Sequence, residues 1–225
     1  ETKSPIKWQR VHRMPDHVRF VHVPHIRYLT SNPNAIQNKS ADFKTLEDGT
    51  VEASKVCSTC HGQDGNSTNP AWPSLASQHM KYTVTALQNY QNGSRENVVM
   101  QAQVMALSKE DFEDLAAYYN IQKTAKQDFD YDLAQQGESL YRGGNSKSGV
   151  AACIACHGPT GRGNPGAGYP SIAGQHAAYT AIALKSYASG ERKAGLNDMM
   201  QALSSRLSDQ EIQAVSEYIQ ALESP

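Results

Sequence analysis

The chain has 225 residues, 39% of them hydrophobic, and a formal net charge of −1. That length accommodates one large domain or two small ones, and the near-neutral balance gives no reason to expect a nucleic-acid partner. No run of about 18 consecutive apolar residues occurs, so no segment reads as a membrane-spanning helix.

The first ten residues, ETKSPIKWQR, lack the charged-then-apolar pattern of a signal peptide. The expectation is that such a segment was removed or that the chain begins after an anchor. Residues 1–30 hold six Lys/Arg against Glu1 and Asp16, a net of +4, whereas the remainder holds fifteen basic and twenty acidic residues, a net of −5. Residues 1–46 therefore read as a basic extension before an acidic body. Four of the eight histidines, His12, His17, His22 and His25, lie in it.

From residue 47 the chain repeats. CSTCHG (57–62) returns as CIACHG (153–158), and the four cysteines of the chain are Cys57, Cys60, Cys153 and Cys156. None is left for a structural disulfide. Trp72-Pro-Ser-Leu-Ala matches Tyr169-Pro-Ser-Ile-Ala, Gln78-His79 with Tyr82 matches Gln175-His176 with Tyr179, and Tyr90 matches Tyr187. A Met stands eight residues before a Ser twice, at Met100/Ser108 and Met200/Ser208. Two homologous domains follow, residues 47–122 and 123–225.

The expected elements are helices. One precedes each motif, clearest in LAQQGESLYRGG; a second spans about 78–90 and 175–187; a third opens at Ser108 and Ser208. SKED and SDQE have the form of capping boxes, in which the Ser side chain and the acid three residues on satisfy the first free amides. Phe112, Leu115, Ala116 and Tyr119 follow at helical spacing, as do Ile212, Val215, Ile219 and Leu222. Sustained two-residue alternation is absent. The polar stretch IQKTAKQDFDYD (121–132) reads as a linker.

Two cysteine pairs invite a zinc reading, but zinc ribbons bring their pairs within about 15–20 residues, and these stand 96 apart. Zinc also gives no role to the His after each pair, and no βαβ pattern supports a thioredoxin-like dithiol. Haem attachment uses every residue. Two thiols add to the two vinyl groups, and the next residue lies beneath the iron, where imidazole coordinates it. Cys57, Cys60 and His61 would hold one haem c, and Cys153, Cys156 and His157 a second. The porphyrin also becomes the core that such small domains otherwise lack.

From about residue 47 onward the chain resembles the dihaem cytochromes of the c4 class, two class I cytochrome c domains in tandem. GQHAAYTA, YRGG, MQALSSRLSDQEI and LSKEDFEDLAAYY are segments of the kind that family carries. The resemblance implies an all-α fold, His and Met axial ligands, and a Met on the loop before the last helix. Met105 would align with Ser205 and Met199 with Val99, so Met100 and Met200 alone share a register; Met199 is the rival in the second domain. Pro73 and Pro170 stand where that family offers a proline carbonyl to the other nitrogen of the ligand His. His79 and His176 are expected to face a propionate or solvent, and Tyr82, Tyr90, Tyr179 and Tyr187 to pack against the porphyrin.

The extension departs from the family. MPDHVRFVHVPHIR resembles the bis-His segments of multihaem c-type proteins, yet no attachment cysteines accompany it. His22 and His25 stand as ligands to iron in a partner, as rivals of Met100, or as a retired motif on the surface. The expected function is electron transfer by a carrier that is not itself an enzyme. The alternative is a dihaem oxidoreductase, peroxidase or thiosulfate dehydrogenase-like, with one open or unusually ligated haem. Covalent haem c implies a periplasmic location, free or held at the outer face of the cytoplasmic membrane through partners or a removed anchor. The expected partners are a redox donor and a terminal oxidase or respiratory complex. The extension is expected to dock a partner subunit, or else to cover the first haem domain.

Overall fold

The computed structural model describes residues 53–192 and 198–223, all within one compact unit. The basic extension, His22 and His25 included, lies outside the described residues. The first repeat contributes α1 (Ala53–His61), α2 (Met80–Gln91), α3 (Val98–Val104) and α4 (Lys109–Asn120). The second contributes α5 (Tyr131–Gly143), α6 (Ile154–His157), α7 (Ala177–Ala188), α8 (Met199–Ser204) and α9 (Asp209–Ala221). Extended pairing among the described residues is confined to isolated bridges, Arg95–Arg192, Asn145–Val150 and Asn164–Tyr169. The fold is helical, as the repeat led one to expect.

The last helix of each repeat begins where the capping boxes place it. Ser108 accepts from the Asp111 amide at 3.1 Å while Asp111 accepts from the Ser108 amide at 2.8 Å. Ser208 and Glu211 exchange the same bonds at 3.2 and 2.8 Å. Both helices then bury the stripe read from the spacing: Phe112, Leu115, Ala116 and Tyr119 in α4, and Ile212, Val215 and Ile219 in α9. Burying such side chains contributes roughly 1.5–3 kcal/mol each. Gly137 lets α5 approach α9, because a Cβ there would collide with the Ala214 carbonyl.

Each repeat has its own core. Leu87, Val104, Phe112, Leu115 and Tyr119 form the first, with Cys57, Tyr90 and Met100 packed against it. Leu140, Tyr141, Val150, Leu184 and Ile212 belong to the second, with Cys153 and Met200 against it. The first cysteine of each pair thus packs against a separate core.

Helices α2 and α7 start two residues later than expected. The reason lies in Gln78 and Gln175, whose side-chain oxygens accept from the amides of His79 and His176 at 2.9 and 3.1 Å and hold that backbone out of the helix. The polar stretch between the repeats is non-helical up to α5, but it is fastened along its length. Ser77 donates to the Gln122 carbonyl, the Ala125 amide to Asn66, Gln127 to the Gly174 carbonyl, and Gln220 to the Asp128 carbonyl.

Candidate functional site

Each Cys-x-x-Cys-His motif ends a helix with its histidine buried: His61 closes α1 and His157 closes α6. The glycine that follows turns the chain. Gly62 and Gly158 have φ of +78° and +74°, and a Cβ on Gly62 would collide with the Asn66 carbonyl. This is the left-handed residue that commonly stops a helix.

The chain then returns over the histidine by the same route in both repeats. The Gly65 carbonyl accepts from the Leu75 and Ala76 amides at 2.7 and 3.1 Å, and the Gly161 carbonyl accepts from Ile172 and Ala173 at the same distances. The repeated Pro-Ser-aliphatic-Ala is thereby explained. Its proline carbonyl is delivered to the imidazole. His61 Nδ1–H donates to the Pro73 carbonyl at 2.8 Å and His157 Nδ1–H to the Pro170 carbonyl at 3.0 Å. That bond fixes the tautomer and leaves Nε2 as the nitrogen available to a metal.

Burial lowers the pKa of both histidines, against the opposing effect of the proline carbonyls. Both rings are therefore neutral, the form that coordinates iron. Burial also raises Cys57 and Cys153 to about 11. While free, both are protonated thiols rather than reactive thiolates.

The methionines separate by burial. Met100 and Met200 pack against the same cores as Cys57 and Cys153. Met105 is 63% exposed and Met199 42%. The expected loop around them is instead a short helix in each repeat, α3 and α8. In the first, Asn97 caps the turn by accepting from the Met100 amide at 2.9 Å. Gln91 then bonds the Val104 and Leu107 carbonyls at 3.0 and 2.8 Å and holds the end of α3 against α2.

The repeated residues that follow Gln-His do something the sequence did not show. Gln78 donates to the Ser171 carbonyl and accepts from the Ser171 amide, at 2.8 and 3.0 Å. Gln175 donates to the Ser74 carbonyl and accepts from the Ser74 amide, both at 2.9 Å. His79 Nε2–H donates to the Arg162 carbonyl at 2.6 Å, and His176 Nε2–H to the Ser67 carbonyl at 2.8 Å. Each of these histidines fastens its repeat to the other. The tyrosines do likewise. Tyr82 accepts from Arg192 at 2.7 Å and Tyr179 from Arg95 at 3.1 Å, while Tyr90 and Tyr187 lie beneath those same arginines, 4.5 and 4.4 Å from ring centroid to guanidinium carbon. Tyr90 alone of the four also packs against a haem-domain core cluster.

Sequence reasoning missed Arg95 and Arg192. The signal was present as Tyr90-x-x-Gly93-x-Arg95 and Tyr187-x-x-Gly190-x-Arg192. Gly93 and Gly190, at φ +77° and +78°, end α2 and α7. The next turn returns the arginine amides to the Asn89 and Ser186 carbonyls, both at 2.9 Å.

The comparisons with known proteins agree with this geometry. The family model for cytochrome c matches residues 135–223, and that for the cbb3-type cytochrome c oxidase subunit III matches residues 44–118. Cytochrome c4 of Thiocapsa roseopersicina is 45% identical over 175 residues, 77% of this chain and 91% of that one. The chain belongs to the cytochrome c4 family. The crystal structure of reduced recombinant cytochrome c4 from Pseudomonas stutzeri superposes with a TM-score of 0.73 at 41% identity, covering 76% of this chain and 97% of that one. A protein described as a thiosulfate dehydrogenase electron acceptor, from Stutzerimonas stutzeri, is 34% identical over 82% of this chain and 88% of its own length. The chain is a dihaem electron-transfer cytochrome with two covalent haem c groups, and the two Cys-x-x-Cys-His motifs fit them.

Proposed function

We propose that this cytochrome is a periplasmic electron carrier in which Cys57, Cys60 and His61 hold one haem with Met100 as sixth ligand, and Cys153, Cys156 and His157 hold the other with Met200. The corresponding domains are residues 47–122 and 123–225. The observation that carries the reading is the sorting of the methionines: Met100 and Met200 each share a core with an attachment cysteine, while Met105 and Met199 face outward. Bound haem supplies one-electron exchange at its iron. The chain holds each imidazole neutral and oriented through Pro73 or Pro170 and surrounds it with apolar side chains. Thioether in the sixth position favours ferrous iron and raises the potential.

Near-infrared spectra of Met199→Ala and Met200→Ala test this. Met200→Ala should halve the methionine-to-iron charge-transfer band and Met199→Ala should leave it intact; the reverse pattern would make Met199 the ligand.

The relative described as an electron acceptor for thiosulfate dehydrogenase supports a carrier rather than a catalyst. Its likeness suggests a substrate-oxidising enzyme as donor and a terminal oxidase or respiratory complex as acceptor. The alternative, a dihaem oxidoreductase with one open haem, has less support, because a partly buried Met packs against the core in both repeats. The basic extension, whose residues 1–30 carry net +4 before a remainder of net −5, is read as the docking segment for a partner electron-transfer subunit. Deleting residues 1–40 should abolish copurification with that partner and leave both haem potentials unchanged. A shifted first-haem potential with normal association would make the extension an intramolecular cover instead.

A further inference from the structure

The short helix that carries Met100 presents apolar side chains outward as well as inward. Met100, Val104 and Leu107 pack into or against the first core. On the other side Val98 is 83% exposed and Val99 63%, and Ala102, Met105 and Ala106 are exposed with them. Val98, Ala102 and Met105 follow one another at the spacing of helix-surface neighbours, as do Val99, Ala102 and Ala106, so the five make one stripe along α3 and the turn after it.

Nothing inside the fold requires this stripe. Valine is a poorer helix former than alanine or the long straight side chains, and an exposed valine gains no burial. From Asn97 to Ser108 the chain also carries no charge. The matched stretch of the second repeat is built as a solvated surface. Asp198, Ser205 and Arg206 stand in the places of Val98, Met105 and Ala106, and all three are exposed. The same short helix, in the same register, is therefore apolar outward in one repeat and polar outward in the other.

Contiguous apolar side chains on a surface mark contact with another molecule. The size of the stripe decides which kind. A seven-residue helix is about 10 Å long, so one face of it with the following turn falls well short of the roughly 800 Å² per partner of a stable complex. Short-lived complexes between electron-transfer proteins lie at the small end of the range. The position agrees with the size. On the reading that Met100 is the sixth ligand, on which this inference rests, only α3 itself, about 10 Å across, separates a molecule on the stripe from the ligand of the first haem. The visitor's own face must be uncharged, since a charge pressed against this stripe would lose its water and find no partner.

We propose that Val98, Val99, Ala102, Met105 and Ala106 form the docking surface for a one-electron protein carrier with an uncharged apolar face around its redox centre, and that this carrier exchanges electrons with the first haem and not directly with the second. One electron crosses at each encounter. The donor's centre is oxidised as the first haem iron passes from ferric to ferrous, or the reverse, and no bond forms or breaks.

The test uses the full-length holoprotein and, as probe, a reduced blue-copper protein whose copper lies behind an uncharged apolar face. Stopped flow follows its electron transfer to the oxidised cytochrome. Met105→Glu and Val98→Asp should each lower the second-order rate by about tenfold or more, because docking would bury an unpaired carboxylate. Ser205→Glu, which sets the same charge at the matched place in the second repeat, should leave the rate unchanged. Both first-repeat variants should keep the methionine-to-iron band at full strength, and their reduction by ascorbate, which has no need of the stripe, should match that of the parent protein. Equal rates in all three variants, or a fall in Ser205→Glu as large as in Met105→Glu, would overturn the proposal. So would a rate that falls together with the band, which would trace the loss to ligation. If Met100→Ala keeps the full band while the rates sort as expected, the ligand reading fails and the docking surface stands. Two other occupants are decided with the same proteins. A parent dimer in sedimentation equilibrium that Met105→Glu dissociates would make the stripe a contact between copies, and a rate that rises on deleting residues 1–40 would make it the seat of the chain's own extension; either result overturns the proposal.

Discussion

Most of the chemistry of each haem site passes through one imidazole and the carbonyl behind it. The carbonyl belongs to the backbone, so the proline is not needed for the acceptor itself. Its ring fixes φ and limits the unfolded chain. Pro73→Ala should keep the His61 bond and lose about 0.4–1 kcal/mol of stability, with the first haem's potential almost unchanged. Denaturant titration and redox titration of the same variant check both halves. A large fall in that potential would mean the loop no longer holds the carbonyl in place. Pro73 and Pro170 were legible in the sequence because position in a repeat was enough to find them. Arg95 and Arg192 were not, since charge at the end of a helix ordinarily means a solvated side chain, and only their opposition across the seam covers them, Arg192 fully and Arg95 in part.

At the scale of elements, the last helix of each repeat was readable almost to the residue, because a capping box and an apolar stripe both mark its start. Those signals are local. Ser208→Ala should cost about 1 kcal/mol. Glu211 adds a pH signature. Its carboxyl is held below its ordinary 4.5 chiefly by the Ser208 amide and also by Asn145. A depressed pKa contributes stability that is present above the unfolded value and lost as pH falls through the folded one. The difference in denaturation free energy between the parent protein and Glu211→Gln should therefore shrink below about pH 4.5 and be constant above pH 6. A difference that grows on acidification would reverse the sign of this argument. Gly137 makes a sharper test of packing. Gly137→Ala places a methyl against the Ala214 carbonyl, where α5 crosses α9. It should cost about 1–3 kcal/mol, as overpacking does, even though Ala is the better helix former. The short helices α3 and α8 were misread as loop because seven and six residues are too few to show a period.

The described residues form two repeats joined by their most conspicuous shared residues. The sequence showed that Gln78, His79, Tyr82 and their counterparts recur, and a recurring residue near a haem motif reads naturally as part of the haem site. What a repeat cannot show is that its copies are turned toward each other, so that the same register of residues also serves the interface. The reciprocal Gln–Ser bonds predict coupled unfolding. The parent holoprotein should lose both haem environments in one transition, and Gln78→Ala/Gln175→Ala should separate them into two. Coincident transitions in the double variant would show that the linker, pinned by Asn66, Gly174 and Gln220, suffices to couple the halves. Two six-coordinate haems with thioether ligands suit a carrier and leave no open iron for a substrate. The most direct measurement is the near-infrared and visible spectrum of the oxidised full chain, taken with an assay for peroxide-dependent turnover. Ligation by both Met100 and Met200 predicts a methionine-to-iron band of strength equal to two such haems per chain, no high-spin band, and no turnover. A band of half that strength beside a high-spin haem that turns over peroxide would contradict it.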